Sequence, residues 1–189
     1  TSENYGTIEK CATEGNNSTS IVVEGANAVG GIAGDNRSKI ENCTLAGNVT
    51  VRNINDGAKG REIGGIAGRN VGRIVNTDRN FAEKTDKGMP KIVSQGDGNY
   101  LGGVAGINIS DGGDTGIIEA ARKRYATASV TLNTGQSGTV GGVAGANAGM
   151  IRGLVFSGEV SGTEGSQYGT GGIAGRNDLP EADKAGVIE

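Results

Sequence analysis

Cys43, Leu45, Val49 and Val51 fall on one parity of the chain, with Thr44, Asn48 and Thr50 on the other. Leu154, Phe156 and Val160 repeat the pattern, against Ser157 and Glu159. An extended backbone turns successive side chains to opposite faces, so this alternation predicts short strands with one buried face. Similar segments, rich in Ile and Val and bounded by Gly, Asn and Asp, fill most of the chain. Only residues 117–128, "IIEAARKRYATA", have a spacing that could turn a helix, and they read as an insertion. The expected fold class is all-β.

The strands belong to a repeat. Gly-Gly-(Ile/Val)-Ala-Gly-x-Asn occurs at residues 30–36, 64–70, 102–108, 141–147 and 171–177. The intervals between first glycines are 34, 38, 39 and 30 residues (64−30, 102−64, 141−102, 171−141). A second phrase follows: Ser38, Ile40, Cys43 after Asn36; Gly72, Ile74, Thr77 after Asn70; Gly149, Ile151, Leu154 after Asn147. Asn4, Gly6, Ile8 and Cys11 fit the same ruler at the start, and Gly186 and Ile188 at the end. The array reads as a single unit over residues 1–189, without end caps, excerpted from a larger multidomain protein.

No repeat of about three short strands can bury its apolar face alone, but stacked windings can. The expected architecture is a parallel β-helix (β-solenoid) of about five repeats with loop insertions. Two internal ladders are expected: Ile32, Ile66, Val104, Val143, Ile173; and Ile8, Ile40, Ile74, Ile118, Ile151. The glycines are expected to turn corners at positive φ, or to admit close backbone approach. Asn36 and its equivalents are expected to tolerate the left-handed conformation and to bond one another along the axis.

Composition supports the picture. Glycine supplies 37 of 189 residues, far above the usual share of about 7% and without collagen's period of three. Aromatics are 3%, and Trp and His are absent, so the core is aliphatic. The net charge of −3 leaves no footprint for nucleic acid, and Arg122-Lys123-Arg124 beside Tyr125 reads as a solvated loop face. No apolar run reaches the ~20 residues of a membrane helix, and the first residues lack the pattern of a secretion signal.

"GGIAGDN" followed by "KIENCTLAGNV", and "GGVAGANAGMIRGLVFSGEV", resemble the GLUG motif family of bacterial surface proteins. That family includes adhesins and the region ahead of the catalytic domain of IgA-protease-type metallopeptidases. The resemblance implies an extracellular β-solenoid on a bacterial cell surface or wall, with no catalytic residues in the motif. Thr170, the missing Cys in later repeats and the long insertions depart from the pattern.

Candidate chemistry is sparse. Cys11 and Cys43 occupy equivalent positions and should face the interior, either bridged or as two free thiols. Two Cys with no His do not make a metal site. "DGGDTG" (111–116) and "QGDGN" (95–99) could offer oxygens to Ca²⁺ but match no calcium-loop pattern and read as solvated turns. Sequons stand at Asn42, Asn48 and Asn108. Glu41 and Asp78 could form a carboxylate pair across adjacent coils, yet no acidic position recurs as glycoside chemistry would suggest. The expectation is therefore no enzyme, no catalytic, metal or cofactor-binding residues and no cofactor.

The functional reading is a non-catalytic structural and interaction module, an adhesin-like stalk or binding face. Its partner would be a protein or glycan at a cell surface, with no nucleic acid, no membrane insertion and possible end-to-end self-association. Two alternatives are the accessory region of a surface metallopeptidase and a carbohydrate-binding solenoid using Tyr125 or Tyr100. The loops at 52–62, 77–91 and 109–128 are the expected carriers of specificity.

Overall fold

A computed structural model describes the chain except residues 55, 56, 58, 59, 98, 134, 163–168 and 179–184. The described residues contain no helix, and almost every strand pairs in parallel with its equivalents in the windings on either side. The chain is a parallel β-helix.

Four sheets run along the axis. Ala28–Gly30, Glu62–Gly64, Asn99–Gly102, Gly138–Gly141 and Thr170–Gly171 form the first. The Gly-Gly corner leads into the second, which contains Ala33–Asn36, Ala67–Asn70, Ala105–Asp111, Ala144–Ala148 and Ala174–Arg176. The third is bent, with each winding crossing it in two segments such as Lys39–Glu41 and Thr44–Ala46. Val49–Asn53, Lys91–Val93, Ser129–Thr131 and their neighbours form the fourth. Among the described residues the one exception in strand pairing is the antiparallel hairpin joining Ala105–Asp111 to Asp114–Thr115.

Both expected ladders exist. Ile8, Ile40, Ile74, Ile118 and Ile151 pair in register, and Ile188 extends the row. At the corner, Ile32 N donates to Ile66 O at 3.0 Å, Ile66 N to Val104 O at 2.8 Å, Val104 N to Val143 O at 2.9 Å and Val143 N to Ile173 O at 2.9 Å. The central members are fully buried, each contributing roughly 1.5–3 kcal/mol of apolar burial. Cys43, Leu45, Val49 and Val51 all point inward, as their parity predicts.

Three expectations are corrected. The paired glycines do not take positive φ; the second of each of the first four pairs instead lies against a neighbouring winding and the side chain across the interior. A Cβ on Gly142 would stand 2.2 Å from Gly172 O and 2.5 Å from the Phe156 ring; one on Gly31 would stand 2.5 Å from Leu45 Cδ1. Left-handed backbone occurs at the bend of the third sheet, at Lys10 (φ 55°), Asn42 (φ 51°) and Gly153 (φ 71°). Asn4, Asn36, Asn70, Asn108 and Asn147 are extended strand residues, and none of the row has positive φ, so their role is the ladder and not the turn. Residues 117–126 are a ten-residue strand, Ile117–Ala126, paired on both sides at Ile117–Glu119 and at Ala126 and interrupted by an unpaired stretch at residues 121–123; the paired ends outweigh local helix spacing.

Candidate functional site

The most regular polar feature is buried. Asn4 Nδ2 donates to Asn36 Oδ1 at 2.8 Å, Asn36 to Asn70 at 2.7 Å, Asn70 to Asn108 at 2.7 Å, Asn108 to Asn147 at 2.7 Å and Asn147 to Asn177 at 2.8 Å. Each amide also donates to a carbonyl at the start of the third sheet, as Asn108 does to Met150 O at 3.2 Å. A buried amide left without partners costs about 1–3 kcal/mol, so the spine locks each winding to the next. It is fully engaged and offers nothing to a ligand. Asn42 and Asn108 are likewise buried and bonded, which removes their sequons as modification sites.

A cleft of about 670 Å³ opens where the first and second sheets meet near the start of the chain. Glu62 in its wall bonds Arg69 at 3.1 Å. Burial, reinforced by the Asp35 carboxylate, pushes Glu62 up to about 7 although Arg69 pulls it down. Asp35 receives Arg37 Nε at 2.9 Å on one oxygen, and its other oxygen is buried without a partner. The cleft borders Ala28–Gly30, and the equivalent edges of the next windings are each covered by a Gly-Gly strand. Among the described residues no strand pairs with the other edge of Ala28–Gly30, and the cleft lies beside it.

The second feature is a ridge on the bent third sheet. Asn76 pairs with Ala120 and Ala82 with Ala126, so residues 77–81 and 121–125 form two stacked arches of equal length. Asn42 Oδ1 accepts from Thr77 N at 2.8 Å and Asp78 N at 3.0 Å, fixing the lower arch. Arg124 Nε donates to Thr77 O at 2.8 Å, and Tyr125 N donates to Asn80 Oδ1 at 3.0 Å, fixing the upper arch on the lower. Buried Phe81 anchors the base. Arg79, Arg122 and Lys123 are exposed, Tyr125 is 39% exposed, and the Lys123 ammonium lies 5.9 Å from the Tyr125 ring centroid. The equal arch lengths were readable only once the register was known.

The remaining sequence candidates do not converge. Glu41 pairs with Lys39 at 2.5 Å, while Asp78 stands exposed on the ridge. Of residues 111–116, 111–115 form an exposed tight turn and Gly116 is buried, while Asp97 accepts from Ser137 N at 2.8 Å. Gly98, and four residues of the 52–62 loop, lie outside the described residues. No group of three metal-ligating side chains exists among the described residues. Tyr100 packs half-buried on the small cluster of Val71, Ile107, Ile109, Ala146 and Ala148, so it is no open platform.

Cys11 and Cys43 are free thiols stacked in adjacent windings, Cys11 N donating to Cys43 Sγ at 3.4 Å. Contrary to expectation Cys11 is exposed, because no described winding lies beyond it, whereas Cys43 is buried and its thiol is pushed up by that burial.

Neither the curated proteins nor the solved structures give a significant match to the chain. The family model described as the GLUG motif matches residues 25–50. That segment begins at the end of one fourth-sheet strand and runs through the Gly-Gly corner, Asn36 and Ile40 to the next fourth-sheet strand. The chain carries the GLUG motif, and the motif is one winding of a parallel β-helix.

Proposed function

We propose that the chain is a non-catalytic interaction module of a bacterial cell-surface protein, presenting a lateral face to a partner. The observation that carries this reading is the unbroken register from Asn4 to Asn177 beneath arches and loops of variable length. The interior is occupied by aliphatic and asparagine ladders, and variation is confined to places where the backbone leaves the coil.

Magnitudes separate a binding face from a simple stalk. Each winding adds about 4.8 Å of length. The same ~35 residues in an α-helix would span roughly 50 Å. A β-helix is thus a poor way to gain distance and a good way to build a broad rigid wall. The GLUG motif supports the surface assignment through the kind of protein it resembles.

The test is accessibility on intact cells of the source bacterium. Antibody raised against the purified chain should label whole cells, and added protease should abolish the signal. Labelling only after lysis overturns the surface reading.

A further inference from the structure

The ridge has a charge that its surroundings do not neutralise. Arg79, Arg122, Lys123 and Arg124 meet a single acid, Asp78, within the two arches. The strands packed against them, Thr44–Ala46 and residues 154–156 of Met150–Phe156, contain no carboxylate. The acids that flank the arches along their strands are Glu119, held by Arg73 at 3.2 Å and Arg152 at 3.0 Å, and Glu83, one residue beyond Ala82. The charge is also built outward: four residues separate Glu119 from Arg124, where the neighbouring strand has only Gly153 between Arg152 and Leu154.

We propose that this ridge is the docking surface for an anionic polysaccharide, with Arg79, Arg122 and Lys123 meeting its carboxylate or sulfate groups and Tyr125 lying against a sugar ring. The inference rests on the interaction-module reading above and names the chemistry of the partner. The two arches belong to adjacent windings, whose strands lie about 4.8 Å apart where they pair at either end of the arches. Arg124 is committed to the Thr77 carbonyl, so it braces the arches and leaves the three exposed cations to reach outward. The ammonium of Lys123 near the Tyr125 ring sets a positive charge beside a flat apolar surface.

An acidic peptide fits less well. Peptides commonly bind by adding to a free sheet edge or filling a groove. Here Ala126 is paired on both sides, with Ala82 and Phe156, and residues 121–123 stand exposed.

The experiment uses the purified chain, so it does not depend on where the protein resides. Immobilised heparin (sulfated) and polygalacturonate (carboxylated) are compared with dextran, polyglutamate and single-stranded DNA. Wild type should bind at least one anionic polysaccharide in about 50 mM salt, release it by about 0.5 M, and ignore dextran. Arg122→Ser/Lys123→Ser should weaken binding about tenfold or more and flatten the salt dependence. Tyr125→Ala should weaken it about fivefold with the salt slope unchanged. Thermal melts confirm that each variant remains folded, and Tyr125→Phe should restore binding. The proposal is overturned if neither polysaccharide binds, if the double variant binds like wild type, or if polyglutamate or DNA binds as tightly and Tyr125→Ala has no effect. Failure here with surface labelling intact removes the polysaccharide and keeps the module.

Discussion

The Gly-Gly corner and the bend of the third sheet face each other across one narrow interior, yet they tolerate variation very differently. At the corner the interval from first glycine to asparagine is six residues in all five copies. At the bend, the intervals Glu9–Thr13, Glu41–Leu45, Val75–Ala82, Glu119–Ala126 and Arg152–Phe156 are 4, 4, 7, 7 and 4 residues (13−9, 45−41, 82−75, 126−119, 156−152), although all five begin and end in register. The corner brings backbone to within contact of backbone, so neither a side chain nor an extra residue fits. The bend is made either by one left-handed residue or by an outward arch, and both return the chain to the same row. Where windings touch, composition is dictated. Where they swing away, it is free to acquire function.

The most damaging way to probe this contrast is to add one methyl at the corner. A Cβ on Gly103 would lie 2.2 Å from Gly142 O and 3.4 Å from the Phe156 ring, with backbone as the obstacle. Gly103→Ala should cost about 3 kcal/mol or more and lower Tm by on the order of 10 °C. Gly172 holds the same place in the phrase, but nothing lies within 4 Å of its Cβ position. Gly172→Ala should stay within about 0.5 kcal/mol of wild type. Equal losses for the two variants, read by thermal or urea unfolding, would mean that the corner is not governed by close approach.

Next in size is the asparagine spine. Asn108 donates to Asn147 Oδ1, Gly116 O and Met150 O and accepts from Asn70. Asn108→Ala strands several buried groups at once and should cost about 2–3 kcal/mol. Asn177→Ala, at the exposed end of the row, should cost under about 1 kcal/mol. Urea midpoints for the pair measure how much of the spine's strength comes from burial.

The third effect depends on pH. Glu62 lies on the outer side of the first sheet with its side chain 16% exposed, and its folded-state value is raised from 4.5 to about 7. The folded state therefore holds a proton that the unfolded chain releases. The Glu62 contribution to stability is fully present below pH 4.5, falls as pH rises toward 7 by at most about 1.4 kcal/mol per pH unit, and is flat above. Glu62→Gln should remove this component of the slope in melts taken between pH 5 and 8. An unchanged slope would place the titration elsewhere.

Much of this organisation is legible in residue order, because a β-helix writes each three-dimensional neighbour one period away. The Ile8 and Ile32 rows, and the amide stacking of Asn36, follow from aligning the copies. The roles inside the phrase were harder to read. Glycine serves both positive φ and close approach, and only coordinates separate the two: Gly142 is crowded, while the left-handed turn falls on Asn42, which sequence marks only as a sequon. Residues 117–126 misled for a related reason, since Ala, Arg and Lys spacing describes local preference and a strand flanked on both sides answers to its neighbours. The cleft at Glu62 has no sequence signal, because Ala28, Tyr100 and Thr139 replace the acid in the paired positions.

The smallest effect belongs to the ridge, and a null result there carries the comparison furthest. Inserting Gly-Ser after Lys123 lengthens an exposed arch that already departs from its neighbour between Glu119 and Arg124. Extending a loop from four to six residues adds only about 0.4 kcal/mol of closure entropy. Arg124 can still reach Thr77 O and Ala126 can keep both partners, because the added residues enter before either anchor. Tm should therefore change by no more than about 2 °C. If the insertion destabilises the chain as much as Gly103→Ala does, the arches are part of the frame, and the division between a dictated corner and a permissive bend fails.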